Sequence, residues 1–271
     1  VAAVGWAREE RFAEAGVGLA LCLAGYLRWR RYFDDGIAVA QAAAEAAQLA
    51  GDRDGEAGAW TNLGNALKEA GRPGEAVEAH TRARDLFRAT GDRRSEAIAW
   101  NNLGLALRET GQDEEAIEAH NRARDLYQAV GDRHREGMAW DNLGLALREA
   151  GRTEEAIEAH SRAGELFRAA GDRHGEGMAW NNLGAALQKV GRVEEAIEAY
   201  GKDLEICREF EDWYGEGQTL QNLAFAHEDA HRPTEARTAY LQAADAYTRA
   251  NALTEATQSR TWAANLDTPT P

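Results

Sequence analysis

Apolar residues recur at spacings of three and four along most of the chain. The segment 54–70 carries one such row, formed by Trp60, Leu63, Gly64 and Leu67. The segment 114–130 carries a second, formed by Ala116, His120, Ala123 and Tyr127. This spacing is typical of a helix that buries one face, so the pattern predicts two kinds of helix, called helix A and helix B.

The helix pair repeats every 40 residues. The helix A block stands at 59–71, 99–111, 139–151 and 179–191, and in altered form at 219–231. Such a period predicts stacked units that bury apolar surface only against their neighbours. We expect one array over 16–250, with repeats at about 16–50, 55–90, 95–130, 135–170, 175–210 and 215–250. Residues 1–15 are then a cap or the remnant of a preceding unit, and 251–271 a capping helix and tail.

Glycine, aspartate and proline mark the predicted helix ends. Helix A is followed by Gly71, Gly111, Gly151 and Gly191, and helix B by Gly51, Gly91, Gly131 and Gly171. Glycine accepts the left-handed conformation that often ends a helix. The next helix A has a candidate N-cap in Asp52, Asp92, Asp132 and Asp172, and Pro73 and Pro233 suit a first helical turn.

The spaced residues also match a known repeat signature. Trp60, Leu63, Gly64, Leu67, Ala76 and His80 follow the pattern W-x2-L-G-x2-Y…A-x3-F, with Leu in the Tyr place and His in the Phe place. The chain therefore resembles tetratricopeptide repeat proteins, and its longer period resembles Pins/LGN-type, kinesin-light-chain-type and bacterial regulator-associated arrays. The resemblance implies an all-α, right-handed superhelical solenoid of antiparallel helix pairs, with the A helices lining a concave, non-enzymatic binding groove.

Composition narrows the classes of function. The formal net charge of −15 opposes binding to phosphate backbones, so we expect no nucleic-acid partner. No 18-residue apolar run is present, which predicts no membrane span. Cys22 and Cys207 suggest neither a disulfide framework nor a metal cluster, which favours a cytoplasmic setting. The excess of Arg over Lys and the abundance of Ala and Gly suggest a bacterial protein, and no cofactor is expected. Because the chain starts at Val1, we expect it to be a piece of a larger protein with a covalently linked upstream domain.

One polar residue recurs on the helix A face opposite the core. It is the asparagine at positions Asn62, Asn102, Asn142, Asn182 and Asn222. A carboxamide can both donate to and accept from a peptide group. At helix spacings of roughly 10 Å, successive amides would meet about every third residue of an extended peptide. In tetratricopeptide proteins, an Asn at this place commonly holds the ligand main chain. The alternative is a bond to a neighbouring helix.

Apolar side chains accompany these asparagines, at Ile98, Leu105, Met138, Leu145 and Met178. Either adjacent A helices bury them or they line a groove that accepts apolar ligand side chains. The residue beside each asparagine varies, and specificity is expected there. Lys68, Arg108 and Arg148 flank the same face and would favour an acidic or carboxylate-bearing ligand. Balance by the neighbouring glutamates is the alternative.

Histidines offer a possible metal site. His80, His120 and His160 stand where other repeats have Tyr200 and Tyr240, which indicates a core role. His227 and His231 form an HExxH motif that could hold zinc on one helix. However, His231 stands where four other repeats have the helix-ending glycine, so decay of the repeat is the preferred interpretation and no metal is expected.

These observations predict a module that binds an extended peptide or the tail of a partner protein. The thirteen predicted binding residues are the five asparagines, the five apolar residues and the three basic residues named above. The alternative is a ligand-sensing regulatory arm of a larger bacterial NTPase or transcription regulator.

Overall fold

The computed structural model describes residues 29–266, together with 18, 22, 23 and 25–27. The expected cap at 1–15 and the tail after 266 lie outside the described residues. The chain divides into two compact units, Val1–Ala146 and Leu147–Pro271, which are described one at a time below.

Helices make up nearly all of residues 29–266, where no strand occurs. Twelve of them have defined bounds in this range, namely α1 (Phe33–Ala50), α2 (Arg53–Glu69), α3 (Pro73–Thr90), α4 (Arg93–Glu109), α5 (Asp113–Val130), α6 (Arg133–Glu149), α7 (Thr153–Ala170), α8 (Arg173–Lys189), α9 (Val193–Glu209), α10 (Trp213–Asp229), α11 (Pro233–Arg249) and α12 (Leu253–Asn265). Helices α2, α4, α6, α8 and α10 are the predicted A helices. The predicted all-α repeat fold is confirmed.

Short turns join the helices and make successive helices antiparallel. The predicted glycines occupy these turns in the left-handed conformation, for example Gly91 with φ 80° and Gly191 with φ 78°. Asp52, Asp92 and Asp172 cap the following helices by accepting a hydrogen bond from the backbone N–H three residues later. The predicted helix-end signals are therefore confirmed.

In the first unit, the core forms where each A helix meets the following B helix. Gly64 in α2 faces the fully buried ring of His80 in α3, and a β-carbon on Gly64 would lie 2.6 Å from His80 Nδ1. Gly104 and His120 repeat this contact between α4 and α5. The missing side chain on helix A thus makes room for an aromatic ring on helix B, which fixes the register of the pair.

The second unit repeats the arrangement with tyrosine. Tyr200 packs on Gly184, and its hydroxyl donates to Gln188 Oε1 at 3.1 Å. At the end of the described chain, Trp262 of α12 packs beside Tyr240 with ring centroids 5.5 Å apart. Helix α12 therefore covers the last repeat, as a terminal helix of a stacked array must.

Candidate functional site

The five asparagines occupy the same place on five A helices and are all half-buried. Each precedes a leucine of the helix and follows its Trp or, in α10, Leu220 by two residues. Asn62, Asn102 and Asn142 belong to the first unit, and Asn182 and Asn222 to the second. Their side chains therefore reach the edge of the core without being enclosed by it.

Asn142 and Asn222 each bond to the preceding A helix. Asn142 Nδ2 donates to Asn101 Oδ1 at 3.1 Å, and Asn222 Nδ2 donates to Asn181 Oδ1 at 3.2 Å. The side chains of Asn62 and Asn102 have no hydrogen bond to any residue that the structure describes. The alternative that the asparagine bonds to a neighbouring helix thus holds for Asn142 and Asn222. In each of them the carbonyl oxygen and a second N–H remain for a ligand.

The variable residue beside the asparagine takes part in the packing at several positions, and the expectation that specificity lies there stays a prediction. Asn101 and Asp141 are 7% and 5% exposed. Asn101 Oδ1 also lies 3.1 Å from His120 Nδ1, so Asn101 connects α4, α5 and α6. Gln221 accepts from the Tyr247 hydroxyl at 2.8 Å. Thr61, in contrast, bonds within its own helix, where its hydroxyl donates to the Ala57 carbonyl oxygen at 3.0 Å.

The predicted apolar residues differ in exposure. Met138 and Met178 are 41% and 48% exposed, and each lies one helical turn before an asparagine. Ile98, Leu105 and Leu145 are half-buried. Ile98 packs against the cluster that contains Ala123 and Tyr127. The two methionines therefore present the larger apolar surface to solvent.

The predicted basic residues Lys68, Arg108 and Arg148 are half-buried. Burial, and then the charge of Lys68, lowers the pKa of His80 to about 4. Burial, and then the charge of Arg108, lowers the pKa of His120 to about 3. Two of the three cations thus lie beside buried neutral rings, and a role in ligand binding stays a prediction.

The HExxH histidines do not share a helix. His227 lies in α10, which ends at Asp229, whereas His231 follows in the turn with φ 58°. Burial lowers the pKa of His227, and within residues 29–266 its Nδ1 has no hydrogen-bond partner. Among the described residues, no group of three or more His, Cys, Asp or Glu side chains is arranged to hold a metal ion.

A cavity of about 470 Å³ lies in the second unit, between α8, α9 and α10. Its walls include three predicted site residues, Met178, Asn182 and Asn222. They also include Asp203 and Cys207 of α9, which sequence analysis missed. The other repeats have alanine in place of Asp203, at 43, 83, 123, 163 and 243, so departure from the repeat was the available signal.

Asp203 is a buried carboxylate, 6% exposed. Its Oδ2 accepts from Asn181 Nδ2 at 2.7 Å and from the Thr219 hydroxyl at 2.5 Å. Burial raises the pKa of Asp203 because the charged form loses hydration. Burial likewise raises the pKa of the Cys207 thiol to about 12, so that thiol is not a nucleophile at neutral pH.

A family model described as tetratricopeptide repeat matches residues 95–169 and 176–249. The chain therefore belongs to the tetratricopeptide repeat family, whose fold serves as a scaffold for protein interaction. No curated protein sequence matches the chain. None of the described helices is long and apolar enough to cross a membrane.

Several solved structures share the fold. BtubC (BKLC) from P. vanneervenii is 19% identical, with a TM-score of 0.67 over 88% of this chain and 94% of that one. A Rap protein in complex with competence and sporulation factor is 15% identical, with a TM-score of 0.63 over 93% and 74%. The STAND protein PH0952 from Pyrococcus horikoshii, described with a tetratricopeptide repeat sensor, is 13% identical, with a TM-score of 0.70 over 93% and 43%. These likenesses show the fold alone.

Proposed function

We propose that this chain is a non-enzymatic module whose A helices bind an extended peptide segment of a partner protein. The observation that carries the proposal is the pair of half-buried amides of Asn62 and Asn102, at equivalent places on successive helices. Neither has a hydrogen bond within the described residues. Both amides reach solvent, where water can bond to them, and a peptide main chain supplies a donor and an acceptor that can take the place of this water.

The neighbouring side chains suit the same ligand. In the first unit, Asn142 keeps an oxygen and an N–H for the ligand, and the exposed Met138 lies one turn away. Apolar ligand side chains would contact Met138 together with Ile98, Leu105 and Leu145. Acidic ligand groups would meet Lys68 and Arg108. In the second unit, the corresponding residues are Arg148, Met178, Asn182 and Asn222.

The expected affinity is moderate. One hydrogen bond contributes about 1 kcal/mol net, so a few amides with apolar contacts give a dissociation constant on the order of micromolar. This estimate sets the concentration range in which a peptide should be sought.

The test is a peptide-library screen with the full chain, followed by fluorescence anisotropy of the peptides that bind. Asn62→Ala plus Asn102→Ala should weaken binding by about tenfold or more, since two hydrogen bonds are removed. Asn121→Ala is the matched control, because Asn121 lies on the B helix α5. Unchanged affinity in the double variant, with intact helical circular dichroism, would contradict the proposal.

A second candidate is a sensor arm that restrains a larger signalling protein. The likeness to the tetratricopeptide sensor of the STAND protein PH0952 favours it. The natural full-length gene tests this candidate: an upstream GxxxxGK[ST] loop would support it, and a gene that encodes only this array would contradict it.

A further inference from the structure

The fifth repeat departs from the others at two buried positions of one helix. Asp203 replaces an alanine, and Cys207 replaces the aromatic residue found at Phe87, Tyr127, Phe167 and Tyr247. The first change adds a carboxylate to the core, and the second removes a ring. Both residues line the polar cavity between α8, α9 and α10.

Comparison of repeats within the second unit shows the space that Cys207 leaves. Phe167 packs so closely on Gly175 that a β-carbon there would lie 2.7 Å from its ring. Gly215 is the equivalent glycine 40 residues later. A β-carbon on Gly215 would lie 3.2 Å from the Sγ atom of Cys207, the nearest atom of that cysteine. A phenyl ring is thus replaced by a thiol, and the vacated volume opens beside Met178 and Phe210.

Asp203 adds a carboxylate to this space, whose wall also includes the exposed His174. Its hydrogen-bond donors are the amide of Asn181, the hydroxyl of Thr219 and, at 3.7 Å, the thiol of Cys207. No described Lys, Arg or His forms an ion pair with it. Asp212 adds a second carboxylate to the wall. A buried carboxylate gains most from a cation that replaces its lost hydration.

The rest of the wall suits a short aliphatic stem. Ile206 is buried, whereas Met178 and Phe210 are 48% and 57% exposed at the solvent side. Amide side chains of Asn182, Gln218 and Asn222 also line the cavity. A methylene chain can contact the apolar side chains while its charged end reaches the carboxylate.

We propose that the Asp203 cavity binds an aliphatic primary ammonium group, carried either by a lysine side chain of a bound peptide or by a free small amine. The lysine form rests on the proposed peptide-binding function, because Asn182 and Asn222 belong to both sites. The free-amine form does not depend on it. Asp203 is the charge partner of the ammonium group, and the absence of a ring at Cys207 provides the space.

The proposal is tested by isothermal titration calorimetry of the full chain with putrescine and with N-acetyl-lysine methylamide. The same lysine derivative acetylated on Nζ is the uncharged control. Binding of either cation, and none of the acetylated compound, is expected. Putrescine alone indicates a free amine, and the lysine derivative indicates a peptide side chain. No detectable binding of either cation would overturn the proposal.

Two variants restore the sequence of the other repeats and so keep the fold. Asp203→Ala removes the charge, and Cys207→Phe fills the cavity. Each should weaken binding of the cation by about tenfold or more. Asp245→Ala is the control, since it removes an exposed charge on α11 outside the cavity. Equal affinity for the cation in wild type and both folded variants would overturn the proposal. Unchanged peptide affinity in the Asn62 and Asn102 variant would contradict the proposed function and the lysine form, but not the free-amine form.

Discussion

Gly184 of α8 lies directly against the ring of Tyr200 in α9, where a β-carbon on the glycine would stand 2.6 Å from Tyr200 Cε1. Tyr200 is 1% exposed, so its ring cannot move aside into solvent. The glycine is thus required by the close approach of two helices, although glycine within a helix costs about 0.5–1 kcal/mol relative to alanine.

Gly184→Ala should therefore lower the free energy of unfolding by about 1–3 kcal/mol, the usual effect of overpacking. Gly164→Ala in α7 is the matched control, because its β-carbon would meet nothing closer than 3.8 Å. That variant should be stabilised by about 0.5–1 kcal/mol. Urea unfolding followed by circular dichroism measures both, and equal effects of the two substitutions would contradict the assigned contact.

The buried histidines make stability depend on pH. The folded state holds the pKa of His80 at about 4, below its ordinary value of 6.5. Between these values the unfolded chain binds more protons, so stability is full above pH 6.5 and is lost as pH falls toward 4. The contribution of His80 to this loss is about 3 kcal/mol at pH 4.

His80→Phe should reduce this pH dependence, since the ring at this place need not titrate. The difference in unfolding free energy between wild type and variant should grow in favour of the variant below pH 6.5. Urea unfolding at several pH values measures it, and His134→Ala, at an exposed histidine, is the control. A difference that stays constant with pH would show that His80 is not held neutral by burial.

The left-handed turn after α10 is strained by its side chain. His231 has φ 58° at the place where Gly191 has φ 78° one repeat earlier. A non-glycine residue there costs about 1–2 kcal/mol, partly offset by the flexibility that glycine adds to the unfolded chain. His231→Gly should raise the free energy of unfolding by about 1 kcal/mol, and Gly191→Ala should lower it. If His231→Gly destabilises the chain in thermal unfolding, His231 has a role that the turn does not explain.

The repeated helix pattern predicted the fold because the same local sequence signals recur in each unit. The glycines at 40-residue intervals, the aspartate caps and the Trp-Leu-Gly face agree with one another, so local signals sufficed. The partners of individual polar residues were not predictable in this way. Asn101 and Asn102 are adjacent and identical in type, yet Asn101 is 7% exposed and bonded, while Asn102 is half-buried and has no side-chain hydrogen bond to the described residues. The difference in burial and bonding between the two asparagines arises from the packing of neighbouring helices.

The cavity escaped prediction for a related reason. The repeat pattern identifies residues that recur every 40 positions, whereas Asp203 and Cys207 differ from the residues at the equivalent positions of the other repeats. Their effect depends on the ring that is missing and on Thr219, which comes 16 residues after Asp203.

We propose that the amides of the A helices hold a ligand main chain. A double-mutant cycle tests it most directly, using a bound peptide in which one amide at a time is replaced by an ester, with wild type and Asn102→Ala. At the ester that removes the hydrogen bond, affinity for wild type should fall by about fivefold, equivalent to about 1 kcal/mol, while affinity for Asn102→Ala should not change. If every ester weakens binding equally in both proteins, Asn102 does not hold the ligand main chain, which contradicts the proposed function.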